Sequence, residues 1–212
     1  MKKLLFIILA GSLIILIFIP LVWNWISDFT NTSESIEYSQ LQFTSIEGDY
    51  LVFVDDRQVG RVENKNTKVF AKIESGERVI KIVRSSNQEN LYFILERKIN
   101  FSPRTQTEIV WSSGPTLESS EGVIKYFGSS SSPTGTRVIL TTFPTFAKVK
   151  LNEREIGREF IVDNIETNKL IVSAGENYNS RELELRLKDD STNTPPKNTS
   201  LNIEVYLYKR PF

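Results

Sequence analysis

The chain of 212 residues contains no cysteine and no histidine. Without cysteine it can form no disulfide, thiolate zinc site, cysteine nucleophile or acylated lipoprotein anchor. Without histidine it lacks the side chain most often used for proton transfer near neutral pH. These two absences exclude several classes of hydrolase and metalloenzyme. They also require an exported domain to be held together by its hydrophobic core, or to come from an organism that exports few disulfides.

The sequence also lacks any excess of charge, since 26 basic residues balance 26 acidic ones. Proteins that bind the phosphate backbone of nucleic acids carry a surplus of Lys and Arg. We therefore expect no nucleic-acid partner.

The N-terminus carries the one long apolar run of the sequence. Leu4–Trp23 spans 20 residues without a charge, and a helix of that length crosses about 30 Å, the hydrocarbon thickness of a bilayer. Lys2 and Lys3 precede the run, and no basic residue follows it until Arg57. This asymmetry predicts a membrane anchor at residues 1–26, with its N-terminus cytoplasmic and the rest of the chain outside the cytoplasm.

A cleaved signal peptide is the competing interpretation of this run. Signal peptides have an apolar region of about 7 to 15 residues followed by small residues at the cleavage site. This run is longer, and the segment at its end, Leu21–Trp25, contains two tryptophans. We therefore predict that the anchor is retained. The polar residues 27–37 that follow are predicted to form a stalk.

Beyond the stalk, apolar and polar residues alternate with the period of a half-buried β-strand. The sequence therefore predicts an all-β fold. The clearest examples are three sets of buried positions: Leu201, Ile203, Val205 and Leu207; Leu183, Leu185 and Leu187; Ala147, Val149 and Leu151.

An internal repeat appears when the sequence is shifted by 97 positions, which aligns residues 41–60 with 138–157 without a gap. Four identical pairs result, and the strand phase and the turn coincide as well. We therefore predict two tandem, small antiparallel β-sandwich domains, at 38–114 and 136–212, after one N-terminal transmembrane helix. The identical pairs are Thr44/Thr141, Val52/Val149, Arg57/Arg154 and Gly60/Gly157.

The matched segments each combine a strand, a turn that begins with Asp or Asn, and Val-Gly or Ile-Gly. In the first copy Gly76–Ile82 and a long strand pair follow. This arrangement resembles the PEGA domain, a small β-sandwich module of prokaryotic envelope and surface proteins. The second copy departs from the pattern at Glu166–Val172, which lacks the glycine before the strand. In both copies the Thr-Pro that often follows Val-Gly in that family is replaced, by Arg61-Val62 and Arg158-Glu159.

The resemblance implies a non-catalytic module that binds envelope polymer or protein, with no active site to carry over. Between the two copies, residues 115–135 are predicted to form a connecting segment. Within it, Val123–Phe127 has the phase of an added strand that completes the first domain or bridges the two, and the serine-rich tract Gly128–Gly135 has the composition of a loop.

Two pairs of carboxylates, Asp55-Asp56 and Asp189-Asp190, have the residue types of acid/base or metal sites. Asp55-Asp56 lies at the predicted turn, where the Asp55 side chain can accept a backbone N–H. Asp189, Ser191 and Asn193 have the alternating spacing of a calcium loop but lack the glycine and the closing acidic residue of that motif. No Gly-x-Ser-x-Gly or Ser-x-x-Lys motif is present. We therefore predict no catalytic residue, no metal and no cofactor.

Aromatic residues are the more useful candidates for binding. Seven of them include several that are out of phase with the predicted core, as platforms for sugars or proteins are. The seven are Tyr92, Phe93, Tyr126, Phe127, Tyr178, Tyr206 and Tyr208. Of these, we select Tyr126, Phe127, Tyr206 and Tyr208 as candidate partner-binding residues.

Three functions remain open on this evidence. The first is a membrane-anchored, extracytoplasmic, non-enzymatic binding or adaptor protein of a prokaryotic envelope, with cell-wall polymer or another envelope protein as its partner. The second is a structural spacer or self-assembling envelope subunit. The third, an envelope enzyme, would need a pocket that gathers Ser, Lys and carboxylates from both copies.

Overall fold

The computed structural model describes residues 36–86, 91–129, 135–162, 167–185 and 199–211. Every regular element in these ranges is a β-strand, which confirms the predicted all-β class. The strands are β1 (Tyr38–Ser45), β2 (Tyr50–Val54), β3 (Arg57–Val62), β4 (Thr67–Glu74), β5 (Gly76–Arg84), β6 (Leu95–Phe101), β7 (Gln106–Ser112), β8 (Glu121–Ser129), β9 (Thr136–Phe143), β10 (Lys148–Leu151), β11 (Arg154–Glu155), β12 (Glu159–Val162), β13 (Asn168–Ser173), β14 (Arg181–Leu185) and β15 (Thr199–Tyr206).

A seven-stranded central sheet runs through the molecule in the order β12-β9-β15-β8-β7-β1-β4. The pairs β1–β7 and β9–β15 are parallel, and the other neighbours are antiparallel. On each side of β8 the same arrangement follows: a last strand, a first strand and an edge strand. We call the seven strands from β1 to β7 the first half of the fold, and the seven strands from β9 to β15 the second half.

Each half adds a four-stranded antiparallel sheet to the central one. The first half has the order β3-β2-β5-β6, and the second half has the equivalent order β11-β10-β13-β14. The pairing scheme of seven strands therefore occurs twice, in a sandwich-like arrangement. The boundaries 38–114 and 136–212 that we assign to separate domains stay a prediction.

Two hydrophobic cores lie on opposite faces of the central sheet. Ile124 on β8 belongs to the first core and its neighbour Val123 to the second. Because successive side chains of a strand point to opposite faces, the small sheet of the first half covers one face and that of the second half covers the other. Tyr206 and Val205 on β15 are divided between the two cores in the same way.

The observed burial follows the alternation in the sequence. Leu201, Ile203 and Val205 on β15 are buried, and so are Ala147 and Val149. Leu185 is also buried, whereas residue 187 lies outside the described residues.

The predicted added strand is confirmed as β8, which pairs with β7 on one side and β15 on the other. The serine-rich tract begins later than we predicted, because Gly128 and Ser129 still belong to β8 and face Ser200 and Thr199 of β15. Residues 130–134 lie outside the described residues.

The repeated turn is a two-residue hairpin loop in both halves. Its central residues have positive φ, at 47° and 62° for Asp55 and Asp56 and at 46° and 71° for Asn152 and Glu153. This is the sign pattern of a type I′ turn, which matches the twist of the strands it joins and favours Asp and Asn.

A side-chain hydrogen bond fastens each turn to the neighbouring strand. The Val79 backbone N–H donates to Asp55 Oδ1 over 2.9 Å, and the Lys169 N–H donates to Asn152 Oδ1 over 2.9 Å. The prediction that Asp55 accepts a backbone N–H is therefore confirmed.

Residues 1–35, which include the predicted anchor and most of the predicted stalk, lie outside the described residues. Within the described ranges, no helix has the length and apolar character needed to cross a membrane.

Candidate functional site

Tyr206 is buried, although its position in the alternation is out of phase with the predicted core. Its side chain is 1% exposed and belongs to the first core. The ring stacks on Phe143 at a centroid distance of 4.5 Å and meets Trp111 edge-on at 4.9 Å. The Arg97 side chain of β6, in the first half, lies over the Tyr206 ring at 5.6 Å from its centroid. Alternation within β15 could not predict this contact.

The hydroxyl of Tyr206 lies in a small polar network at the border of the two halves. It donates to Glu204 Oε2 over 2.6 Å and accepts from Arg97 Nε over 2.8 Å. Burial raises the pKa of Tyr206, with a further contribution from its hydrogen bond to Glu204. The phenol therefore acts as a neutral link between the two ions.

Tyr126 and Phe127 are neighbours on β8 and lie on opposite faces of the central sheet. Tyr126 is partly buried against the first core and Phe127 against the second. Burial and the Glu204 charge raise the pKa of Tyr126. The structure thus separates these two candidates instead of joining them in one site.

Phe127 lines a groove of about 430 Å³ beside the edge strand β14. An ion pair between Lys125 Nζ and Glu108 Oε2, at 3.2 Å, crosses its floor. This groove has one aromatic residue in its lining, whereas the groove around Tyr208 has two tyrosines.

Tyr208 lines a groove of about 440 Å³ formed by loops at one end of the strands, which we call the loop-end groove. Residues from both halves contribute to it, and most of them are polar or aromatic. Its lining consists of Glu47, Arg84, Tyr92, Ser112, Ser113, Gly114, Pro115, Ser119, Glu121, Asn179 and Tyr208.

Arg84 organises the wall contributed by the first half. Its guanidinium lies over the Tyr92 ring, 4.3 Å from the centroid. Nη1 donates to the Ser113 carbonyl over 2.9 Å, and Nη2 lies 3.4 Å from Glu47 Oε1. A Cβ on Gly48 would come within 2.3 Å of Arg84 Nε, and its φ of +88° also favours glycine.

Ser113 fixes the base of the loop-end groove. It is buried, its N–H donates to Tyr50 Oη over 2.7 Å, and its Oγ accepts from Trp111 Nε1 over 2.8 Å. Burial raises the pKa of Tyr50, so this phenol stays neutral near neutral pH. Gly114 N–H then donates to Ser120 Oγ over 3.0 Å, which orders the loop that follows.

The C-terminal residues fix the opposite wall. The Asn179 N–H donates to the Tyr208 carbonyl over 2.9 Å, and Arg210 Nε donates to Asn179 Oδ1 over 2.9 Å. Lys209 Nζ pairs with Glu118 Oε2 at 2.9 Å. These contacts hold the segment that carries Tyr208 against the loop between β7 and β8.

The loop-end groove thus combines two half-buried tyrosines with an arginine, serine hydroxyls, an amide and carboxylates. Flat ring faces beside hydrogen-bonding groups suit a polar ligand that also has apolar faces, as a sugar has. Of its members, sequence reasoning identified Tyr92 and Tyr208 as aromatic candidates. It missed Arg84, Ser113 and Asn179, because these residues come from the end of β5 and from two loops that only the folded sheets bring together.

No group of three or more acidic residues in the described part of the chain is arranged to hold a metal ion. Asp189, Ser191 and Asn193, considered above as a calcium loop, lie outside the described residues. A scan against models of known families and a search of curated proteins each found no match to this chain.

Proposed function

We propose that this chain is a membrane-anchored, extracytoplasmic, non-enzymatic binding or adaptor protein of a prokaryotic envelope. The single observation that supports binding is the loop-end groove, where Tyr92, Tyr208 and Arg84 surround a polar cavity of about 440 Å³. We further propose that its ligand is an envelope polysaccharide, because tyrosine faces and closely spaced hydrogen-bonding groups complement sugar rings and their hydroxyls.

The proposed architecture is two PEGA-like modules behind the anchor. Its support is the pairing scheme that occurs in both halves, together with the type I′ sign pattern at the same repeat positions. The proposed location rests on the apolar run Leu4–Trp23 and on the lysines that precede it. Protease accessibility in spheroplasts tests it: the folded region should be digested from outside, and protection would contradict the orientation.

An affinity capture tests the binding proposal. Residues 38–212 are immobilised and exposed to isolated cell-wall polysaccharide and, separately, to detergent-solubilised envelope proteins. Retention of polysaccharide is expected, with loss of about tenfold or more in affinity for Tyr208→Ala, since stacking on one aromatic ring contributes about 0.5–1.5 kcal/mol beyond the area it buries. Tyr92→Ala should act in the same direction.

Tyr38→Ala is the matched control, because Tyr38 is 45% exposed at the opposite end of β1 from Glu47. It should bind as the unsubstituted protein does. Retention of one protein instead of polysaccharide would keep the adaptor role but change the class of partner, and retention of neither would reject the proposal.

A second function, self-assembly as an envelope subunit, is favoured by the two outer edges of the central sheet. The edge strands β4 and β12 carry Val69, which is 48% exposed, and Ile161, which is 55% exposed. Unpaired edges with exposed apolar residues are able to pair with another copy. Concentration-dependent sedimentation that Val69→Lys abolishes would favour this function over the first.

A further inference from the structure

A cleft beside the repeated turn occurs in both halves of the fold. The first cleft has a volume of about 610 Å³ and the second about 420 Å³. The first is lined by Val54, Asp55, Arg57, Gln58, Val59, Phe70, Ala71, Lys72, Ile73, Glu74 and Arg78. The second is lined by Leu151, Asn152, Arg154, Ile156, Ile161, Val162 and Asn168.

Every residue that lines the second cleft has a counterpart that lines the first. Four counterparts follow from the 97-residue shift: Val54/Leu151, Asp55/Asn152, Arg57/Arg154 and Val59/Ile156. Ile73/Val162 follows from the strand registers, because the equivalent residues Ser39 and Thr136 face them. Arg78/Asn168 follows because each lies two residues before the partner of an equivalent residue of β2 or β10. Ile161 corresponds to the β-bulge of β4, where the two residues Ala71 and Lys72 take the place of one.

The arginine is the one charged residue shared by the two clefts, and it contributes no described contact to either half. Neither Arg57 nor Arg154 makes an ion pair or side-chain hydrogen bond among the described residues, and both are exposed. Asp55 and Glu74 do not neutralise the first cleft, because both pair with Arg78, at 3.3 Å and 2.8 Å.

One of the other identical pairs of the repeat has a structural reason in both halves, because Val52 and Val149 are buried in the two cores. Gly60 has one in the first half, where a Cβ would come within 2.6 Å of the Phe70 ring, whereas a Cβ on Gly157 would meet only the Glu159 carbonyl oxygen at 3.9 Å. Packing in the cores does not account for an exposed arginine at the same place in both halves.

Each cleft lies between two sheet edges. β3 and β4 flank the first cleft, and β11 and β12 flank the second; each of these strands ends its sheet. Edge strands present backbone N–H and C=O groups that an extended peptide can pair with. The walls add apolar contacts, from Val59 and Ile73 in the first cleft and from Ile156 and Val162 in the second.

We propose that the two clefts are equivalent docking sites for an extended acidic peptide segment of a partner protein. An arginine in each cleft pairs with a carboxylate of the segment, and the neighbouring apolar side chains of the segment lie against the aliphatic walls. Each cleft has one positive charge in excess: Arg57, Lys72 and Arg78 against Asp55 and Glu74 in the first, and Arg154 alone in the second. This site is separate from the loop-end groove and does not depend on it.

Calorimetric titration of the 212-residue chain in mild detergent tests this proposal. The probe is a synthetic peptide of alternating Glu and Val, about six residues long, which is a typical strand length. The matched probe has Lys in place of Glu. We expect two Glu-Val peptides to bind per chain, with an affinity that falls as salt is added, and the Lys-Val peptide to bind more weakly by about tenfold or more.

Charge reversal locates the binding. Arg57→Glu and Arg154→Glu should each lower the affinity of one of the two sites by about tenfold or more, and the double variant should lower the affinity of both by that factor. Since these side chains have no described partner, the variants should keep the urea midpoint of the unsubstituted protein. The control is Lys148→Glu, because Lys148 is an exposed residue of β10 outside both clefts and the substitution changes the charge equally. This variant should bind the peptide as the unsubstituted protein does.

Four results would overturn the proposal. The first is failure of the Glu-Val peptide to bind, the second is equal binding of the two peptides, and the third is full binding by the double variant. The fourth is self-association of the unsubstituted chain that the double variant abolishes, because the occupant would then be a second copy of the chain.

Discussion

At the residue scale, Tyr206 shows how one side chain connects the two halves of the fold. Its ring belongs to the first core although β15 belongs to the second half, and its hydroxyl contacts Arg97 and Glu204. Replacing Tyr206 with Phe keeps the ring and leaves Arg97 Nε and Glu204 Oε2 3.3 Å apart. We expect Tyr206→Phe to lower the free energy of unfolding by about 1 kcal/mol, measured by urea denaturation near neutral pH.

The same substitution has a pH dependence of definite sign. Burial raises the pKa of Tyr206 in the folded state above its value of about 10 in the unfolded chain. The folded state therefore holds the phenol proton of Tyr206 more tightly than the unfolded chain does. The stability that this protonated phenol contributes is complete below about pH 10 and is lost as the pH rises further. Urea denaturation from pH 8 to 11 should show a steeper loss for the unsubstituted protein than for Tyr206→Phe. Equal slopes would contradict the assigned burial.

The repeated turn gives a second prediction at this scale. Asp55→Asn supplies the side chain found at the equivalent position 152, so it keeps the acceptor for the Val79 N–H and loses only the charge opposite Arg78. Asp55→Ala loses both. Denaturation should show a cost of about 1 kcal/mol for Asp55→Ala and a smaller one for Asp55→Asn, since exposed ion pairs contribute little. A larger cost for Asn would contradict the assigned hydrogen bond.

At the scale of elements, strand phase and the turn could be predicted from the sequence, and the pairing of the strands could not. Alternation in Leu201–Leu207 identifies β15, and the 97-residue shift finds the hairpin loop at Asp55 and at Asn152. No local pattern in the sequence indicates that β15 and β9 are parallel neighbours, or that Arg97 of β6 contacts Tyr206. Such contacts join residues far apart in the chain, so they follow from the packing of whole sheets.

The strand β8 tests how independent the first half is. A chain of residues 38–113 leaves the edge of β7 unpaired, whereas residues 38–129 keep β8 beside it and bury Ile124 in the first core. Burying one isoleucine contributes about 1.5–3 kcal/mol. The longer chain should therefore have the higher urea midpoint. Equal midpoints would show that β8 contributes nothing to the first half, and the absence of cooperative unfolding in both would reject an autonomous module.

At the scale of the whole molecule, the chain offers two kinds of surface with different chemistry. The loop-end groove takes residues from both halves and occurs once among the described residues, whereas the clefts beside the turn occur in each half. The tyrosines of the groove could be proposed from the sequence, because exposed aromatic residues are typical of binding surfaces. The clefts could not be found in this way, because their walls come from edge strands that are not adjacent in sequence.

The most direct measurement for the proposed function is a map of chemical shifts for residues 38–212 titrated with soluble fragments of isolated cell-wall polysaccharide. We predict that the amides of Tyr92, Ser113, Asn179 and Tyr208 shift in a saturable way, and that those of Arg57 and Arg154 do not. Shifts confined to the clefts, or no saturable shift anywhere in the protein, would contradict it.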